Sequence, residues 1–116
     1  MTEVTPAYRT LSAHVSEADL HRTVIEMAQR LGWLVAHFRA AKTAKGWRTP
    51  VEADGKGFPD LVLVRASRVM FAELKRDDTK PDADQRRWLC ALEGCDGVET
   101  YVWKPSMLDA IEATLR

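Results

Sequence analysis

Two short runs do most to fix what this chain can become: DLVLV at residues 60–64 and VMFAELK at residues 69–75. Both are aliphatic or β-branched, and the RASR between them is mostly polar. That pattern predicts a β-hairpin with a four-residue loop at 65–68. With a symmetric loop Val64 pairs with Val69, and counting back along both strands puts Asp60 opposite Glu73. Opposed residues of an antiparallel pair point to the same face, with Cβ atoms about 4.5–5.5 Å apart. Lys75 shares that face and Leu74 takes the other. Val62, Val64, Val69 and Phe71 fall on the Asp60 face; Leu61, Leu63, Met70, Ala72 and Leu74 line the opposite one. A hairpin apolar on both sides belongs in the middle of a covered sheet, so its charged end is expected to be enclosed as well.

Two opposed carboxylates repel each other and weaken a sheet unless something offsets their charge. A divalent cation would do so. Hard ions such as Mg²⁺ take carboxylate oxygens, keep several waters and complete their shell with substrate phosphate. A lysine beside such a pair can hold a water or meet a phosphoryl oxygen. The competing reading is a solvated strand end with mixed charge and no task, and the apolar character of both hairpin faces speaks against it.

The remaining elements can be placed around this hairpin. Residues 1–15 have no clear period and read as an N-terminal arm, followed by a single domain over 16–116. Ser16 is a good helix N-cap, with Glu17 and Asp19 in the first turn where the helix dipole favours acids. Leu20, Val24, Met27, Ala28 and Leu31 form the apolar stripe, and Gly32 ends the helix. At about 100° per residue, Glu17 falls within the stripe and Glu26 points away from it. Residues 33–38 read as the first strand. His37 on it stands without a nearby partner in sequence and is read as structural.

Residues 39–59 read as a long irregular loop carrying Arg39, Lys42, Lys45, Arg48 and Lys56 with Trp47. Loops of that length inside a small domain are functional or disordered. Spaced cations with an aromatic suit phosphate contact and base stacking, although a solvated loop would carry the same residues. Past Lys75, a helix is expected from about Asp82 to Glu93, closed by Gly94, with Trp88, Leu89 and Leu92 inward. Gln85 lies one turn before Trp88 and Leu89, so it should point inward near the strand end. Residues 98–103 read as a last strand, parallel to the previous one because a helix joins them. Pro105 and Ser106 open a final helix with Leu108, Ile111 and Leu115 on one face.

Gly57-Phe58-Pro59-Asp60, then Glu73-Leu74-Lys75, then Gln85, behind a leading helix with a glutamate, resembles the PD-(D/E)XK nuclease superfamily. Within it the chain is similar to the small stand-alone VRR-NUC branch of phage and bacteria, from about Ser16 to the C-terminus. The resemblance implies an α/β fold with a restriction-endonuclease-like core, a mixed four-stranded sheet flanked by helices in the order α-β-β-β-α-β-α. It implies a metal-dependent DNA endonuclease. Asp60, Glu73 and the Leu74 backbone carbonyl would bind Mg²⁺ or Mn²⁺, with Glu17 reaching the metal or its waters. Lys75 and Gln85 would complete the catalytic set. It further implies selection of flap or Holliday-junction-like DNA, and a homodimer. The rival expectation is a non-catalytic DNA- or partner-binding module on the same fold, and RNA is an alternative substrate.

Composition sets the outer bounds. At 116 residues the chain suits one domain with one core. Formal net charge is zero, so any nucleic-acid contact must rest on local charge. Cys90 and Cys95 are too few for a disulfide scaffold and are read as reduced packing residues. The sequence contains neither an 18-residue apolar stretch nor a basic-then-apolar leader, which leads to the expectation of a cytoplasmic protein, in a bacterial cell or a phage-infected host, with no membrane partner.

Overall fold

The computed structural model describes residues 16–38, 41–44, 46–48 and 51–116, with 41–43 and 47–48 described at the backbone. Its elements are α1 (Glu17–Arg30), β1 (Leu34–His37), β2 (Ala41–Thr43), β3 (Gly46–Arg48), β4 (Leu61–Arg65), β5 (Arg68–Leu74), α2 (Ala83–Glu93), β6 (Val98–Trp103), a 3₁₀ turn (Pro105–Met107) and α3 (Leu108–Leu115). The main sheet is four-stranded in the order β1-β4-β5-β6. β1, β4 and β5 run antiparallel in turn, and β6 joins β5 in parallel after the α2 crossover. This is the expected mixed sheet flanked by helices. The expected arm at 1–15 lies outside the described residues.

α1 and α2 begin where the sequence supplies a side-chain acceptor, Ser16 and Asp82, whereas α3 starts after the 3₁₀ turn without one. The Ser16 side chain accepts the Asp19 N–H at 3.1 Å, capping α1. α1 then buries Leu20, Val24 and Ala28 completely. These meet Leu61, Leu63, Met70, Ala72 and Leu74 from one sheet face, and Ile111 and Leu115 from α3, in a single apolar core. Each fully buried Leu, Ile or Met contributes about 1.5–3 kcal/mol relative to exposure. Trp33 closes the far end, its indole N–H donating to the Leu115 carbonyl at 2.8 Å. The Arg65 guanidinium lies over its ring and donates to the Leu31 and Leu115 carbonyls at 2.8 and 2.9 Å.

The opposite sheet face is covered more thinly. Phe58 stands edge-on to Phe38, Phe71 and Trp88, with ring centroids 5.3, 6.0 and 5.0 Å away. Val64 on the same face stays exposed, as does Leu34 opposite it. Covering of this face is therefore concentrated toward the Phe58 end, which is also the Asp60 end, by half-buried aromatic rings.

Four expectations need correction. The hairpin register is as expected, Val64 with Val69 and Leu61 with Ala72, but pairing runs on to Arg65 with Arg68. The turn is thus two residues, Ala66 and Ser67, with φ of +47° and +69°, the left-handed pair of a type I′ turn. The 39–59 stretch is not irregular throughout. β2 and β3 form a separate antiparallel pair with Lys42 opposite Trp47 and Ala41 opposite Arg48, and only beyond it do turns lead into Pro59. The first strand is Leu34–His37, shorter at both ends than the 33–38 expected. Cys90 and Cys95 are free and exposed, so they do not pack.

Candidate metal centre

The start of β4 is held from several sides. Gly57 has φ of +85°, and a Cβ there would come within 2.5 Å of the Asp84 backbone, so only glycine lets this loop lie against the start of α2. The Trp88 indole donates to the Asp54 carbonyl at 2.9 Å. Pro59 is fully buried, and the Phe38 N–H donates to the Asp60 carbonyl at 2.9 Å. Asp60 therefore enters the sheet from an anchored turn. Its Oδ2 accepts the Leu74 N–H at 2.9 Å, which ties the carboxylate to the partner strand beside Glu73.

Glu73 is 1% exposed, and neither carboxyl oxygen has a hydrogen-bond partner among the described residues. An ionised acid in that position is costly. Burial pushes its pKa up to about 10; the adjoining Asp60 carboxyl adds to the rise, Lys75 opposes it, and Glu17 raises it further. The four side chains thus sit within electrostatic reach of one another.

From α1, Glu17 and His21 face the same place, four residues apart on one side of the helix. The His21 Nε2 atom lies 3.7 Å from Asp60 Oδ2 and 4.0 Å from Glu17 Oε1. That atom is buried and has no hydrogen-bond partner among the described residues. Its Nδ1 lies 2.9 Å from Nε2 of His37 on β1. One ligand atom each from Glu17, His21 and Asp60 falls within 4.8 Å of the others. Stranded oxygens on Glu73 beside this group are what a bound cation would relieve, so the residues fit a divalent ion.

The structure therefore brings together Glu17, Asp60, Glu73 and Lys75. Glu26 is exposed and points away. Gln85 behaves differently from expectation: its amide oxygen accepts the Asp82 N–H at 2.8 Å, while the Asp82 side chain accepts the Gln85 N–H at 2.9 Å. This is a capping box at the start of α2, which leaves the Gln85 amide nitrogen for any contact beyond the helix. Lys56 is exposed and lies 3.6 Å from Asp84. Of the other loop residues, Arg39 and Lys45 lie outside the described residues, and Lys42, Trp47 and Arg48 belong to the β2–β3 pair. His21 escaped the sequence reading, although its spacing from Glu17 was the signal that could have found it.

Among solved structures, one described as "VRR_NUC domain" is similar to this chain, with a TM-score of 0.60 and 24% identity over 82% of this chain and 91% of that one. No family model matches, and no curated protein does. The similarity establishes the fold as the nuclease-like α/β architecture that the motifs implied. No helix among the described residues is long and apolar enough to cross a membrane.

Proposed function

We propose that this protein is a divalent-metal-dependent deoxyribonuclease that cleaves phosphodiester bonds within DNA. The observation that carries the reading is Glu73, fully buried with both oxygens unpartnered beside Asp60. An apolar residue would suit that position better unless a cation is meant to fill it. The similarity in fold to a VRR_NUC domain supports the same reading.

Asp60, Glu73 and the Leu74 carbonyl would hold Mg²⁺ or Mn²⁺, with Glu17 joining directly or through water. When bound, the ion makes a water acidic enough to attack at neutral pH and polarises the scissile phosphate. The Leu74 N–H holds Asp60 in one rotamer, so its oxygens need not reorganise. Lys75 orients the attacking water or stabilises charge growing on the phosphate. The Gln85 amide nitrogen can reach a phosphate or water while its oxygen keeps the helix cap. The cations Arg39, Lys42, Lys45, Arg48 and Lys56, with Trp47, supply backbone contacts that carry no sequence information. A homodimer would present two such centres to a branched DNA with two-fold symmetry, such as a four-way junction; flaps are the other branched class.

The test uses purified protein with Mg²⁺ or Mn²⁺ on linear, flap and four-way-junction DNA, with RNA controls and Asp60→Asn in parallel. The expected result is metal-dependent internal cleavage of DNA that Asp60→Asn abolishes. Absence of cleavage on every DNA, with both metals, would overturn the reading; cleavage of RNA alone would move the activity to another substrate.

A further inference from the structure

Asp60 and Glu73 account for an oxygen-lined site, yet α1 also brings to it a buried nitrogen, His21 Nε2, that has no hydrogen-bond partner among the described residues. The His21 Nε2 distances to Asp60 and Glu17, 3.7 and 4.0 Å, are too long for hydrogen bonds. They are nevertheless short enough for a shared ion. Bonds of about 2.1 Å allow two ligand atoms of one ion to stand up to about 4.2 Å apart. Buried polar nitrogens are rarely left without a partner, and the fully buried, unpartnered Glu73 carboxyl lies beside the same group.

The other ring nitrogen is engaged already. His21 Nδ1 and His37 Nε2 are 2.9 Å apart, with the rings edge-on at 4.8 Å between centroids. One of the two atoms must carry the proton. If His21 Nδ1 donates to His37, the lone pair of His21 falls on Nε2, directed at Asp60 and Glu17. Ligating histidines are held in this way through the second ring nitrogen. His37 enters from β1, where its register partner is Leu61, next to Asp60.

We propose that His21 is a nitrogen ligand of the bound cation, oriented by His37, and that this nitrogen biases the site toward transition-metal ions over Mg²⁺. The proposal rests on the two-carboxylate reading above and adds to it. Oxygen-only sites suit Mg²⁺ and Mn²⁺, whereas imidazole favours later first-row ions, with affinity rising from Mn²⁺ through Co²⁺ to Ni²⁺. His37 is a positioning residue in this scheme and does not touch the ion.

Two readouts independent of cleavage test it. Pulsed electron paramagnetic resonance on the wild-type protein with one equivalent of Mn²⁺ should show ¹⁴N coupling, lost in His21→Asn. Calorimetric titration should show Co²⁺ affinity falling at least tenfold in His21→Asn, with Mg²⁺ affinity changing less than threefold. His37→Leu should lower Co²⁺ affinity by about 10–100-fold, as loss of such supporting partners does. His37→Gln, whose amide oxygen can still accept from His21, should recover most of it. Mn²⁺ bound without ¹⁴N coupling in the wild type would overturn the His21 assignment and leave the two-carboxylate site standing. Failure of Mn²⁺, Co²⁺ and Mg²⁺ all to bind would overturn both readings together.

Discussion

At the Arg68 end of β5, the Glu99 carboxylate on β6 receives two guanidinium hydrogen bonds, at 2.9 and 2.8 Å, and a third from the Tyr101 hydroxyl at 2.7 Å. At the other end of that strand pair, Glu73 is more deeply buried and has no donor among the described residues. The consequences for the proton run in opposite directions. The Arg68 guanidinium holds Glu99 below the usual carboxylate range, while burial lifts Glu73 to about 10. The paired strands β5 and β6 thus carry one carboxylate complete within the protein and another that the protein leaves incomplete. Donors were within reach of this chain's chemistry, as Glu99 demonstrates; their omission around Glu73 is what marks that end for a ligand from outside.

Four substitutions would break or sharpen that contrast. The largest effect is expected for Lys75→Ala at the incomplete end. Removing one electrostatic stabiliser of a transition state commonly lowers the rate by about 10²–10³. Turnover on the preferred DNA should fall by that much while metal affinity, measured by titration calorimetry, stays within a few-fold. A rate within a factor of two of wild type would take Lys75 out of the chemistry.

Next come Glu73→Gln and Glu99→Gln, which should shift metal-free stability in opposite directions. Glu73 binds its proton more tightly folded than unfolded. The resulting stabilisation is fully present below the unfolded value of 4.5 and is lost as pH rises toward about 10. Glu73→Gln should therefore raise the melting temperature at pH 7–8, by about 4–8 °C for each kcal/mol gained, and flatten the pH profile above 5. Glu99 is the reverse case: its contribution is present above 4.5 and lost as pH falls through its lowered folded value. Glu99→Gln should lower the melting temperature at neutral pH, with an effect on the order of 1 kcal/mol, and lose that difference in acid. Thermal melts of both variants across pH 3–9 decide the matter. Destabilisation by both at pH 7 would mean that Glu73 has a partner within the fold.

The smallest effect is expected at the turn. Ala66 and Ser67 both hold positive φ, a conformation that costs about 1–2 kcal/mol for a residue with a Cβ. Ser67→Gly should relieve part of that, raising the denaturant midpoint in urea by an amount equivalent to about 0.5–1 kcal/mol without altering metal affinity. No gain would show that this end of the hairpin is held by Arg68 and Glu99 regardless of its turn.

The same turn shows what the sequence could and could not reveal. Counting back from a symmetric loop gave the register now seen from Val64 with Val69 to Leu61 with Ala72, one step short of Asp60 and Glu73. It could not give the turn, since Ala-Ser lacks the Asn-Gly signature of a type I′ pair. The β2–β3 pair was hidden for a related reason: three-residue strands such as AKT and GWR are too short to display a period. Glu17 was legible from helical angle. His21 was legible only with Glu17 as its i,i+4 companion, since a lone histidine on an amphipathic helix does not announce a ligand. Gln85 was read from the sequence only as an inward amide, and its capping box with Asp82 came from the structure. Parallel pairing of β5 with β6 followed from the intervening helix, as chain connectivity alone requires.

The hydrogen bond from the Leu74 N–H to Asp60 has a bearing on how the protein is made. Asp60 and Glu73 meet only when β4 has paired with β5 in one alignment, and a slip of a single residue would turn Leu61 and Leu63 outward while separating the two acids. A misaligned chain could still form a compact sheet, but it would lack the proposed cation centre. Under the proposed function, cation-binding stoichiometry would count correctly threaded molecules, and a preparation that bound less than one ion per chain would be a mixture of alignments. An ion present during folding would favour the correct alignment by mass action, acting as a template for the strand pairing as well as a reagent.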